Sequence, residues 1–293
     1  MITTTLFGGL GNQMFIYAMV RALSCRNHVP MAFNLKRGFQ YDFQFHRNLE
    51  LNNFNVSLPT STLSTFDCAG GRCIKKASSI IKRNVLLPQY KYIEEEKSIH
   101  GAKPYHFQEE FISKSLKNVY LDGYWQSPKY FEDCADVIRE DFKITANIPN
   151  ETIEELNFLK SQNRPLVMVG VRRYQEVKHT SFLTEHVCDV QYYKQAMKLI
   201  TEKISNPLFV IFSQDRKWVV DNIAEGYDVY QVKEKTGELS AVSDMYLMKQ
   251  CDAAIISNST FYWWGAWLSN SKTVISNNNF INKDCNCKEW IVI

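Results

Sequence analysis

The sequence predicts an α/β protein organised around parallel sheets, and three observations predict it. In the second half of the chain, short apolar runs alternate with longer helical stretches. The runs at residues 166–171, 208–212 and 253–256 are almost unbroken Val, Ile, Leu, Phe, Met and Ala, the pattern of strands covered on both faces. Each run is followed by a polar turn, where the carboxyl end of a strand hands over to a helix and where such sheets bind ligands.

Taken in order, residues 2–25 read as a strand, a glycine loop and an amphipathic helix. Irregular, aromatic-rich sequence continues to about residue 110, with Tyr41 to His46 and Tyr90 to Glu96 its clearest pieces. Residues 119–128 form a strand ending in a loop, and residues 130–142 a helix with acids along it. A polar segment with Pro149 follows, which divides the chain into domains of 1–150 and 151–293. The second domain then alternates a strand at 166–171, a helix at 190–204, a strand at 208–212, a short helix at 216–222, a strand at 227–232, a helix at 241–249 and a strand at 253–256. The closing helix carries Trp263, Trp264 and Trp267. No internal repeat or low-complexity tract interrupts the pattern.

Composition narrows the function classes. With 293 residues, 45% of them hydrophobic, the chain fills one large or two medium cores. Its net charge of +3, from 34 basic and 31 acidic residues, is far from the clustered basic footprint of a nucleic-acid binder. No apolar run is long enough to span a membrane, and the N-terminus has no signal-peptide pattern, so a soluble cytoplasmic protein is expected. The eight cysteines contain no C-x-x-C pair, which points to reduced thiols rather than a zinc or disulfide framework. The six histidines form no H-E-x-x-H set. Asn55 and Asn150 begin glycosylation sequons, which carry no glycan in the cytoplasm.

The chemistry-bearing residues sit at strand ends. Gly8, Gly9 and Gly11 allow a tight turn before the first helix, without the spacing of a dinucleotide fingerprint or the Lys-Ser/Thr of a P-loop. The amides of Asn12 and Gln13 suit sugar hydroxyls or a phosphate oxygen, or else cap the helix. In the second domain, one strand ends in Arg172 and Arg173, the next in Ser213, Gln214 and Asp215, and another in Ser257, Asn258, Ser259 and Thr260. Three polar strand ends of one parallel sheet predict one crevice. An arginine there forks onto a phosphate pair, and helix N–H groups favour the same anion. Phe261 and Trp263 are candidates to pack on a base or line a sugar pocket, while Trp264 and Trp267 read as core.

Together these motifs resemble glycosyltransferase family 11, the alpha-1,2-fucosyltransferases. The resemblance is carried by Gly8-Gly-Leu-Gly-Asn-Gln-Met-Phe15, Asp122-Gly-Tyr-Trp-Gln-Ser127, Gly170-Val-Arg-Arg173, His186-Val-Cys-Asp-Val-Gln-Tyr-Tyr193, Asp244-Met-Tyr-Leu-Met248 and Ser257-Asn-Ser-Thr-Phe-Tyr-Trp-Trp-Gly-Ala266, in that order. It implies a GT-B-type fold of two Rossmann-like domains facing a central cleft, with GDP-fucose held by the second domain and the acceptor presented by the first. It also implies transfer of L-fucose to the 2-hydroxyl of a terminal beta-galactoside, with inversion and with no metal or cofactor. A chain lacking the membrane stem of Golgi members is expected to be bacterial and to serve surface-glycan assembly, with peripheral membrane contact open.

The residues agree with that chemistry on one point. The sequence has no Asp-x-Asp pair to hold a divalent ion, so the charge that develops on a departing diphosphate falls to side chains and backbone, Arg172 first among them. On another point they depart from the family. Most members carry His-x-Arg-Arg-Gly-Asp where this chain has Gly170-Val-Arg-Arg-Tyr-Gln175, which leaves Glu176 as the nearest carboxylate for a general base unless no base is used. A transferase of another linkage or another GDP-sugar, and a non-catalytic binder of GDP-sugar or glycan, are the competing readings.

Overall fold

The structure is a computed structural model that describes residues 1–40, 42–43, 45–63, 89–95, 105–113, 115–174, 187–269 and 271–293. The described residues fall into two compact units, one ending at Thr145 and one running from Ala146 to Ile293.

The first unit contains β1 (Ile2–Thr5), α1 (Leu10–Asn27), β2 (Met31–Asn34), α2 (Arg37–Gln40), β3 (Lys91–Glu94), α3 (Glu110–Ser113), β4 (Val119–Asp122) and α4 (Ala135–Asp141). Its four strands form a parallel sheet in the order β2-β1-β4-β3. Of the three consecutive threonines in the buried β1, two hydroxyls have partners: Thr4 donates to the Leu121 carbonyl at 2.7 Å, and Thr5 meets the Tyr120 hydroxyl at 2.8 Å. Helix α1, expected to be amphipathic, is buried from Leu10 to Leu23 except at Asn12 and Arg21, and only its last turn is half-buried throughout. It stops at His28, whose left-handed backbone (φ 50°) lets its own N–H turn back to the Cys25 carbonyl.

The helix expected at 130–142 is shorter than the pattern suggested. Two 3-10 turns, Pro128–Tyr130 and Glu132–Cys134, precede α4. The guanidinium of Arg26 takes the Tyr130 carbonyl at 2.6 Å and pairs with Asp133, and Phe131 adopts a non-helical φ of −139°. A long-range arginine thus claims a carbonyl that a continuous helix would have used.

The second unit contains α5 (Asn150–Ser161), β5 (Leu166–Val171), α6 (Val190–Lys203), β6 (Leu208–Ser213), α7 (Arg216–Asn222), β7 (Val229–Gln231), α8 (Ser240–Met248), β8 (Ala253–Ile256), α9 (Thr260–Leu268), β9 (Thr273–Ser276) and β10 (Ile291–Val292). The six strands are parallel in the order β10-β9-β8-β5-β6-β7. Val167, Val169, Ile211 and Ile255 pack against Tyr193, Ala196, Met197 and Ile200 of α6. At the edge, β7 is only half-buried and is shorter than the strand expected at 227–232. Close approach of α8 and α9 depends on Gly265, where a Cβ would lie 2.5 Å from the Met248 sulfur.

In both sheets the order of strand addition reverses once. In the second unit β5 leads to β6 and β7 on one side, whereas β8 to β10 lie on the other; in the first, β2 and β4 flank β1. Such a switch point opens a crevice beyond the carboxyl ends of the two central strands. Among the described residues, no helix is long and apolar enough to cross a membrane.

Candidate functional site

At the switch point of the second unit, β5 ends in Arg172 and Arg173 and β8 ends in Ser257, Asn258 and Ser259. The Ser257 N–H donates to the Gly170 carbonyl at 3.2 Å and keeps the two strand ends together. The two arginines take different partners. Arg172 donates to the Gln214 side-chain oxygen at 2.7 Å and lies 4.7 Å over the Tyr174 ring. Arg173 lies 4.3 Å over the Trp218 ring of α7. Arg172 thus contacts the turn after β6, and Arg173 contacts α7.

Tyr174 was not anticipated from sequence. Its backbone is left-handed (φ 54°), and its hydroxyl donates to the Asn258 carbonyl at 3.0 Å, so it ties the end of β5 to the turn after β8. Burial pushes its phenol above the ordinary value although Arg172 pulls it down, and it stays a neutral donor. Ser213 and Asp215 build the neighbouring turn: the Ser213 hydroxyl accepts from the Asp215 N–H at 3.0 Å, and the Asp215 carboxylate caps α7 by accepting from the Trp218 N–H at 3.1 Å.

Helix α9 begins at this place. Ser259 is its N-cap, extended at φ −122° and ψ 123°, and its hydroxyl makes no cap bond to the helix. The first helical bond runs from the Trp263 N–H to the Ser259 carbonyl, so the preceding N–H groups point out of the helix start, the arrangement that attracts an anion. Ser257 and Ser259 are buried, and Asn258, Thr260 and Phe261 are half-buried. Trp263 is a correction. It is fully buried, its indole N–H donates to the Cys285 carbonyl at 2.7 Å, and it packs on Trp264, Trp267 and Trp290, so it is core with its two neighbours.

The glycine loop lies at the switch point of the first unit. Gly8 has φ 78°, and a Cβ there would stand 2.9 Å from the Asn12 amide nitrogen. Asn12 accepts from the Gln126 amide at 3.0 Å, which links the loop to the segment after β4. Gln13 is the second correction. Its fully buried amide donates to the Gly8 carbonyl at 2.9 Å and the Asn48 carbonyl at 2.8 Å and accepts from the Glu50 N–H at 3.0 Å, so it braces the loop from within. Around the same strand ends stand Phe7 and Tyr124, ring centroids 4.8 Å apart, and the Glu95 carboxylate, which accepts from the Tyr124 and Trp125 N–H groups at 2.7 and 2.9 Å. Burial, then the carboxylates of Glu95, Asp122 and Asp42, push the Tyr124 phenol up to about 12.

A buried ionic group closes the carboxyl side of β7 in the second unit. Lys235 pairs with Glu155 at 3.0 Å and Asp244 at 3.1 Å, and Glu155 also accepts from the Tyr230 hydroxyl and the Lys233 N–H. Glu176 lies outside the described residues.

The sequence model described as Glycosyl transferase family 11 matches residues 1–293. The chain belongs to glycosyltransferase family 11. Among relatives of this family 11 chain, the O-antigen biosynthesis glycosyltransferase WbnK of Escherichia coli is 30% identical over 289 residues, 92% of each chain. An alpha-1,2-colitosyltransferase of the same organism is 28% identical, over 92% of this chain and 88% of that one. Galactoside alpha-(1,2)-fucosyltransferase 2 of Pongo pygmaeus is 28% identical, over 93% and 70%. In fold, this family 11 enzyme is similar to NodZ alpha-1,6-fucosyltransferase soaked with GDP-fucose, with a TM-score of 0.51 at 13% identity over 92% of both chains. It is likewise similar to a mutant of Arabidopsis thaliana FUT1 in complex with GDP, with a TM-score of 0.50 at 13% identity over 92% of this chain and 68% of that one. The two parallel α/β units are those of the GT-B fold.

Proposed function

We propose that this family 11 glycosyltransferase moves L-fucose from GDP-fucose to the 2-hydroxyl of a terminal beta-galactoside, in a surface polysaccharide or an oligosaccharide such as lactose. The observation that carries the reading is the strand-order reversal between β5 and β8, which gathers Arg172, Gln214 and the start of α9 at one set of strand ends. A cation and a helix start together suit a diphosphate leaving group. The names of the relatives, which include an alpha-1,2-fucosyltransferase of galactosides and a glycosyltransferase of O-antigen synthesis, support the sugar and the linkage.

In the proposed reaction the bond between the fucose anomeric carbon and the β-phosphate oxygen breaks, and its electron pair leaves with GDP. The galactose 2-hydroxyl oxygen bonds the same carbon from the opposite face, which inverts it, and Glu176 takes the hydroxyl proton. Arg172 and the N–H groups of α9 meet the growing negative charge, each such donor contributing roughly 3 to 4 kcal/mol to the barrier. Ser257, Asn258, Ser259, Thr260 and Phe261 line the donor side, and Asn12 serves the first unit. We propose that no metal or cofactor takes part, because the sequence lacks an Asp-x-Asp pair and offers these donors instead. The protein is proposed to work in the cytoplasm, at the inner face of the membrane where surface glycans are assembled.

The test is release of GDP from purified protein given GDP-fucose and lactose with EDTA throughout, and analysis of the product linkage by NMR. A 2-linked fucosyl-lactose is expected; a product that vanishes with EDTA would refute metal independence, and full turnover by Glu176→Gln would remove Glu176 as base. The colitosyltransferase relative favours a second donor. A nucleotide-activated colitose run beside GDP-fucose decides between them by relative kcat/KM.

A further inference from the structure

We infer that Tyr262 is a positioning residue that sets Arg172 and Gln214 in place across the ends of β5 and β6. The inference rests on the donor site proposed above. Its first support is steric. A Cβ at residue 170 would lie 2.4 Å from Cγ, 2.6 Å from Cδ2 and 2.8 Å from Cβ of Tyr262, so the ring occupies the space that any side chain at 170 would need. Gly170 is therefore what lets α9 bring a tyrosine down onto the last turns of the sheet.

The second support is the place of the hydroxyl. It donates to the Phe212 carbonyl at 2.9 Å and lies 3.4 Å from the Val171 carbonyl. In the parallel register Gly170 stands opposite Phe212 and Val171 opposite Ser213, so one hydroxyl spans the final rungs of two neighbouring strands. The chain beyond the first of these carbonyls leads through Ser213 to Gln214, and beyond the second directly to Arg172. Those two side chains are themselves bonded at 2.7 Å. Tyr262 is buried, and desolvation pushes its phenol well above the ordinary range despite the nearby Arg172 cation, so the hydroxyl keeps its proton and acts as a fixed donor. It also sits in the first turn of α9, three residues after the Ser259 N-cap. The helix start and the arginine are thereby held to one another through a single buried side chain.

A double-mutant cycle read by GDP calorimetry and by steady-state turnover tests this. Wild type, Tyr262→Phe, Arg172→Ala and the double variant are compared, with thermal unfolding of each to confirm folding. Tyr262→Phe is expected to weaken GDP binding about tenfold in the wild-type background, within the usual range for coupled neighbours, and to have no effect once Arg172 is gone. It is also expected to lower kcat while the KM for lactose stays constant. An equal loss in both backgrounds, or no loss in the first, overturns the inference and leaves Tyr262 as packing alone. If Tyr262→Phe does not fold, Tyr262→His, whose ring needs less space than the native one, is read in the same two backgrounds by the same criteria. Failure of the wild type to bind GDP, or unchanged binding by Arg172→Ala, would instead overturn the donor-site reading itself.

Discussion

Replacing Gln13 by alanine separates two roles that the sequence leaves open for it. As a brace, its amide makes three hydrogen bonds, to the Gly8 carbonyl, the Asn48 carbonyl and the Glu50 N–H, all between 2.8 and 3.0 Å and all from a side chain with no exposure. Each such bond contributes about 1 kcal/mol net, so Gln13→Ala should destabilise the first unit by about 3 kcal/mol. With a urea slope of about 2 kcal/mol per molar for a unit of this size, the midpoint should fall by about 1.5 M. The bonds also hold Gly8, whose φ of 78° keeps the loop open for Asn12, so binding should weaken only as a consequence of unfolding. As a ligand, Gln13 would behave in the opposite way, with full stability and lost affinity. Urea unfolding followed by circular dichroism, with calorimetry of GDP and lactose on the still-folded protein, distinguishes the two. A midpoint within about a quarter molar of wild type would refute the bracing argument.

Three further outcomes follow from buried groups. Trp263→Ala should cost about 3 to 5 kcal/mol in urea unfolding, whereas Trp263→Phe should retain GDP affinity; a large affinity loss in a stable Phe variant would return this residue to the ligand pocket. Lys235→Met strands the Glu155 carboxylate, whose side chain is 1% exposed, and should destabilise the second unit by about 3 to 5 kcal/mol; a change below about 1 kcal/mol would contradict a buried pair. Burial raises the Asp244 carboxyl by more than Lys235 lowers it. The folded chain then holds a proton where the unfolded chain has released it, so this group makes the fold less stable as pH rises from the ordinary carboxylate value through the raised one. Asp244→Asn should flatten that part of the stability profile, and a steeper decline in the variant would reverse the argument.

The strands of the second unit were readable because a parallel sheet buried on both faces needs unbroken apolar runs, and residues 166–171, 208–212 and 253–256 supply them. Helix α5 was hidden because its residues are mostly polar and only Thr152, Glu155, Leu156 and Leu159 face inward. Strands β2 and β9 mix apolar with polar residues, Met31-Ala-Phe-Asn34 and Thr273-Val-Ile-Ser276, and lack the unbroken apolar run that marks 253–256. The interruption before α4 depends on Arg26, more than a hundred positions away in the chain, which no local pattern encodes. At the candidate site, the strand-end rule led to Arg172, Gln214 and the turn after β8, but it could not tell side chains that face the crevice from those that build it. Gln13, Asp215 and Trp263 are the polar or aromatic types expected of ligands, and each is spent on internal bonds.

In the proposed donor site the two adjacent arginines have different partners. β5 ends at Val171, and both arginines lie between it and the left-handed Tyr174. Arg173 stacks on Trp218, and its charge is offset by an aromatic face. Arg172 has a different neighbourhood, with the Tyr174 ring beneath it and Gln214 beside it. Both contacts restrict the rotamers of the guanidinium, which is what a donor needs if it is to meet charge that appears only as a bond breaks. The tyrosines that surround it, Tyr174 and Tyr262, are raised by burial and stay neutral, so they fix its geometry without competing for its charge. A lysine at 172 would keep the charge and lose the planar stack on Tyr174 and the fork that Gln214 orients. Arg172→Lys should therefore resemble loss of orientation more than loss of charge, with GDP bound and turnover reduced.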